Sequence, residues 1–226
     1  MRYNPTNAIS LNKPSFYNPF AGSPQGTLVK PGDYSVQMGK YIDGELSLIG
    51  EAQSFTVNML NNTVLPAKDE EAKTAFQRDV AELSRVIDGA RGAVSEMNNK
   101  LKFIDKAIVA VDGQSGAMRQ NYNQLKSDLK NIEVAMSGDR IKTTLDIDQP
   151  LTPAGRIGWI NYEQGNSTAA PTQTHLDGYA IAKEESGPIF DDIKSALIDL
   201  ENLENMLEDA DAPYTPGRVI RLLQGN

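Results

Sequence analysis

From Val80 to Val111, apolar residues recur at alternating spacings of three and four: Val80, Leu83, Ile87, Ala90, Val94, Met97, Leu101, Ile104, Ile108 and Val111. Side chains so spaced line one side of an α-helix and form a coiled-coil seam. The pattern predicts a single helix over about 69–111, roughly 65 Å long at 1.5 Å per residue. Such a helix cannot bury its seam against itself, so the chain must fold back along it or another chain must cover it. Gly89 and Gly92 fall inside it. Each costs up to about 1 kcal/mol relative to alanine, and close approach of a packing partner is the expected reason for them.

The rest of the helical region supplies cover. After a stop at Asp112-Gly113-Gln114-Ser115-Gly116, a helix over about 116–137 carries Met118, Tyr122, Leu125, Leu129, Ile132 and Met136 at the same spacing. The short connection makes it an antiparallel neighbour of the first. Residues 139–171 read as irregular. A last helix opens at Thr172 or Thr174 and covers about 174–210, with Pro188 breaking or kinking it. Its apolar line is Ile189, Ile193, Leu197, Leu200, Leu203 and Leu207, with acidic residues opposite. The expected architecture for residues 66–226 is an antiparallel three-helix, coiled-coil-like bundle.

Ahead of the bundle the texture differs. Residues 1–30 are rich in Pro and Asn, with Phe16, Tyr17 and Phe20 among them, and read as coil. Residues 31–65 read as about three short antiparallel strands. Tyr34, Val36 and Met38 alternate with polar residues, Asp43-Gly44 is a hairpin turn, and strands follow at Leu46–Ile49 and Ser54–Met59, with Phe55, Val57 and Met59 inward. Three strands are close to the minimum for independent stability, and a sandwich needs a second sheet over the apolar face. The fold class is therefore α+β, mainly α: an incomplete immunoglobulin-like β-sandwich followed by helices. The apolar face of Tyr34, Val36, Met38, Phe55 and Val57 is the place to look for a partner.

Composition narrows the function. A net charge of −8 in 226 residues disfavours non-specific binding to nucleic acid or anionic lipid. No apolar run approaches the roughly 18 residues needed to span a bilayer, and the chain itself contains no signal peptide. Cysteine is absent, which removes disulfides and thiolate chemistry. His175, the sole histidine, has no cysteine or carboxylate pair beside it and reads as a capping or packing group. Glu184 and Glu185 point about 100° apart on a helix and do not face each other across a substrate. Asp146-Ile147-Asp148 lacks the glycine and distal glutamate of a calcium loop. No nucleophile elbow, phosphate loop or zinc motif is present, so no catalytic, metal or cofactor residue is assigned. Trp159, Asn161 and Tyr162 form the one aromatic and amide group suited to stacking on a glycan or a partner. The alternative role for Trp159 is to plug the open end of the bundle.

Several segments in fixed order carry a resemblance. They are Lys30-Pro-Gly-Asp-Tyr-Ser-Val36, Gln53-Ser-Phe-Thr-Val57, Ala75-Phe-Gln77, Ala170-Pro-Thr-Gln-Thr-His175, Tyr179-Ala-Ile-Ala-Lys-Glu-Glu185, Pro188 and Ala212-Pro-Tyr-Thr-Pro-Gly-Arg218. Together they resemble the C-terminal region of large exported β-propeller proteins of Bacteroidota, which carry sortilin-like or BNR-type repeats and are often labelled glycosyl hydrolases. The resemblance implies an exported location, in the periplasm, at the cell surface or outside the cell. It also implies a C-terminal piece of a longer protein, divided inside an immunoglobulin-like sandwich. It transfers no catalytic residue, because the enzymatic label belongs to the propellers.

The expected function is a non-catalytic structural or interaction module. Its partner would be the upstream propeller and sandwich part, another protein chain, or a second copy. Two alternatives stand beside it: an accessory part of a carbohydrate-active enzyme contacting glycan through Trp159 and Tyr162, and a coiled-coil component of a secretion or phage assembly.

Overall fold

A computed structural model describes residues 1–4, 26–60, 68–111 and 115–219. The expectations of coil for 5–25 and of a helix stop at 112–114 lie outside these residues. Among those described, the order is β1 (Gly32–Ile42), β2 (Glu45–Val57), α1 (Glu70–Ala110), α2 (Ser115–Ser137), α3 (Arg140–Thr144), α4 (Pro153–Gly165) and α5 (Gln173–Asp209). The molecule is mainly helical with one antiparallel two-stranded sheet.

The long helix forms as its spacing requires. Asp69 caps it by accepting from the backbone N–H groups of Glu71 and Ala72, and Glu70 and Glu71 place negative charge in the first turn. Val80, Ile87, Val94, Met97, Leu101, Ile104 and Ile108 are buried, while Leu83, Ala90 and Val111 pack partly buried against the same core. Over the far half of α1, Met118, Tyr122, Leu125, Leu129, Ile132 and Met136 of α2 are buried. Pairs joining the helices give their directions. Asn98 with Glu133 and Asp105 with Arg119 make α2 antiparallel to α1. Phe76 with Tyr179 and Lys100 with Glu204 make α5 parallel to α1. The bundle runs up, down and up, so the last helix is not antiparallel to the first.

The downward leg is made of two helices, which corrects the irregular reading of 139–171. Thr152 caps α4 by accepting from Gly155 N–H, and Pro153 occupies the first turn, where its missing N–H costs nothing. Ile157, Ile160 and Gln164 then recur at three and four and are buried. Gln77 of α1 donates to the Gln164 carbonyl at 2.9 Å, and Arg156 approaches Glu185 of α5 at 3.7 Å, so α4 covers the part of α1 that α2 leaves bare. On α5 the core line passes through Ile189, Ile193, Ala196, Leu200, Leu203 and Leu207, and Leu197 is exposed. The reason is register: alternating four and three from Ile189 selects Ala196, and Leu197 falls one residue off the stripe. Pro188 does not terminate α5, which continues through it. Nothing lies within 4 Å of a Cβ built on Gly89 or Gly92, so the expected close approach there is absent.

The sheet also differs from expectation. Leu46–Ile49 and the strand beginning at Ser54 are parts of one strand, β2, so two strands are present among the described residues where three were expected. The break read between them is a bulge, where Gly50, Glu51 and Ala52 stand opposite Gln37 in the register shift between Val36 and Met38. Gly50 takes φ +69° there, and Gln37 Nε2 donates to its carbonyl at 2.8 Å. At the hairpin turn Asp43 and Gly44 both have positive φ, 52° and 87°, as a type I′ turn requires.

Candidate interaction surface

Among the described residues, the hairpin is anchored at its base. Tyr34 donates from its hydroxyl to the Lys30 carbonyl at 2.7 Å and stacks on Phe55 across the ladder, with centroids 6.0 Å apart. Thr56 Oγ1 donates to Asp33 Oδ1 at 2.7 Å. The opening residues pair with the segment before β1 through Tyr3 N–H to the Thr27 carbonyl and Val29 N–H to the Met1 carbonyl. Tyr3 in turn holds the bundle, because the Arg78 guanidinium of α1 lies 5.8 Å from its ring centroid. Hydrogen bonding with Tyr34 holds the Tyr3 hydroxyl below the usual phenol range, and the same contact raises that of Tyr34. A second tie runs to α4. Arg2 donates through Nη1 to the carbonyls of Gly26 and Gly165, at 3.0 and 2.7 Å, and through Nη2 to Asn166 Oδ1 at 2.6 Å. A guanidinium at the last carbonyls of α4 also complements the helix dipole.

β1 is roughly 35 Å long at about 3.3 Å per residue, and most of that length lies beyond this base. Val36, Met38, Ile42, Ile49 and Phe55 share one face, together with half-buried Tyr34 and Val57. Tyr41, Leu46 and Leu48 share the other face near the turn. The eight exposed members of these two groups range from 37% to 72% accessible. Leu46 lies over Gly39, where an added Cβ would stand 2.8 Å from Leu46 Cδ1. The predicted face of Tyr34, Val36, Met38, Phe55 and Val57 therefore exists as one face, uncovered over most of its length. The apolar group on the second face was missed, because reading Leu46–Ile49 as a separate strand left its partner in the register undefined.

The aromatic group lies on a helix, not in a loop. Trp159 (42% exposed) and Tyr162 (75% exposed) stand one turn apart on α4, with half-buried Asn161 between them in sequence. Trp159 covers His175, ring centroids 5.0 Å apart. His175 is buried and closes a capping box with Thr172 at the start of α5. A backbone N–H can only donate, so the 3.2 Å contact from Thr172 N–H makes His175 Nδ1 an acceptor, and Gln164 Nε2 donates to the same nitrogen at 3.0 Å. A histidine so engaged serves the junction of α4 and α5. Gln164 carried no signal in the sequence, since a buried amide at a core position looks like a surface residue.

Among the described residues no group of three or more His, Asp or Glu is placed to hold a metal, and no helix is long and apolar enough to cross a membrane. Compared with protein-family models, with curated proteins and with solved structures, the chain gives no match.

Proposed function

We infer that the chain is a non-catalytic docking module: a helical bundle that presents a β-hairpin for completion by another sheet. The observation that carries this reading is the hairpin, whose apolar side chains are exposed beyond a base fixed to the bundle. Exposed apolar surface of this extent, on a two-stranded sheet with no third strand among the described residues, marks a site of association. The resemblance supplies the occupant, the upstream sandwich and propeller part of an exported protein. Covering this hairpin with a second sheet would complete the immunoglobulin-like sandwich read from the sequence.

The test is to express the upstream segment separately and titrate it with this chain by calorimetry at two temperatures. Binding with a negative heat-capacity change is expected, weakened at least a hundredfold by Met38→Asp or Phe55→Asp. Binding that is unaffected by both substitutions, or no binding, overturns the reading.

A second reading keeps one specific observation, the Trp159 and Tyr162 side chains exposed one turn apart on α4. This pair would form a stacking strip for a sugar ring at a propeller edge. Glycan-array binding by the longer protein that disappears in Trp159→Ala favours it, and the absence of glycan binding removes it.

A further inference from the structure

Three legs of the bundle are weakened at one level, and packing explains none of the weak points. The downward leg is interrupted between Ser137 and Pro153. Counting along α1 from Asn98, which meets Glu133, and from Gln77, which meets Gln164, places this gap opposite about 88–94 of α1. Gly89 and Gly92 fall in that span. Counting along α5 from Met206, which meets Asn121, and from Glu185, which meets Arg156, places the same gap opposite about 188–190 of α5. Pro188 falls there, preceded by Gly187.

Each interruption has a local cause of weakness. A Cβ at Gly89, Gly92 or Gly187 would meet nothing within 4 Å, and none of the three has positive φ, so neither crowding nor backbone shape requires glycine. What remains is the loss of helix propensity that glycine brings at each position. Pro188 supplies no N–H for the preceding turn. Ser186, buried at a core position, donates its hydroxyl to the Ala182 carbonyl at 2.6 Å, a bond that helps helices bend. At this level the core holds Ile189 of α5 and Ala90 and Val94 of α1, with half-buried Ala154 of α4 nearby. Every residue of α3, in the gap itself, is exposed, so that turn adds no buried side chain.

We propose that this level is a flexural hinge. It divides the bundle into a half carrying the hairpin base, made of α4 and the first parts of α1 and α5, and a far half made of α2 and the remaining parts. Bending at the hinge changes the direction of the hairpin relative to the far half while the packing within each half is kept. The device belongs to the fold and is independent of what the hairpin binds.

The test uses the whole chain, which has no cysteine and so accepts site-specific labels directly. Spin labels at Thr174→Cys and Glu201→Cys, both exposed on α5 and on opposite sides of Pro188, report bending as a distance distribution. A broad or two-component distribution is expected, narrowing when Gly89→Ala, Gly92→Ala and Gly187→Ala are combined. Amide exchange is the second measurement. Residues 86–94 should exchange at least tenfold faster than 97–108 of the same helix, and the triple variant should slow the first set more than the second. A narrow distribution in the unmodified sequence, or equal exchange along α1, overturns the proposal.

Discussion

Replacing Ile104 by alanine measures how far the helical core acts as one cooperative unit. Ile104 is fully buried in the far half of the α1 seam. The change removes three carbon atoms, worth about 2.4 kcal/mol in transfer at ~0.8 kcal/mol each. Incomplete collapse of the cavity adds about 1 kcal/mol, for a total of about 3 to 4. Phe103, the preceding residue, is 50% exposed and serves as an internal control. Phe103→Ala removes more atoms yet should cost under about 1 kcal/mol, since half of that surface already meets water. The assay is urea unfolding followed by circular dichroism at 222 nm. With a slope of about 3 kcal/mol per molar for a chain of this size, Ile104→Ala should lower the midpoint by about 1 M with the slope unchanged. A shift below about 0.3 M, or one equal to that of Phe103→Ala, would refute the claim that the seam holds the bundle together.

Other substitutions separate the remaining contributions. Met38→Asp and Leu48→Asp alter exposed positions of the hairpin and should change the stability of the isolated chain by no more than about 0.5 kcal/mol, read from the same urea curves. Arg218→Ala removes a buried guanidinium that lies 3.2 Å from Glu208 and donates to the Ala212 carbonyl at 2.6 Å. It should cost about 2 to 3 kcal/mol and expose 211–219 to limited proteolysis. His175→Ala breaks the capping box and the contact with Trp159, costing about 1 to 2 kcal/mol. It should also shift the emission of the sole tryptophan, and an unchanged spectrum would contradict the packing described. The Asp105 carboxyl is held below its usual range by the hydrogen bond from Arg119. A depressed carboxylate stabilises the fold above its ordinary pKa and loses that effect as pH falls through the folded value. Water screens this half-exposed pair, so Asp105→Asn should cost no more than about 1 kcal/mol at neutral pH. The difference should vanish at acid pH, as pH-dependent unfolding would reveal.

The helices were legible wherever one apolar stripe decides the structure. The bounds of α1 and α2 follow from the seam and its caps, and Thr172 was already one of two caps expected for the last helix. Three features resisted for physical reasons. The helix α4 has too few apolar residues for periodicity to stand out, although Thr152-Pro153 was a readable start signal. Leu197 looked like core because one register slip on a helix moves a residue by 100°, and only the facing helices decide which of two neighbours is covered. The bulge at Gly50 hid the continuity of β2, since a glycine followed by Glu51, Ala52 and Gln53 looks like a turn unless the opposite strand is known. Of the candidate site, the apolar alternation of the first sheet face was visible. The ties made by Arg2, Tyr3 and Arg78 were not, because contacts between distant segments leave no local pattern.

Amide exchange across residues 34–57 tests the docking reading most directly, measured on this chain alone and on the longer protein that the docking proposal calls for. In the isolated chain the hairpin beyond its base should exchange rapidly, while the α1 seam is protected. In the longer protein the ladder amides around Val36, Met38 and Phe55 should be slowed at least a hundredfold. Equal exchange in both, with the seam protected in each, would mean that no upstream sheet covers the hairpin.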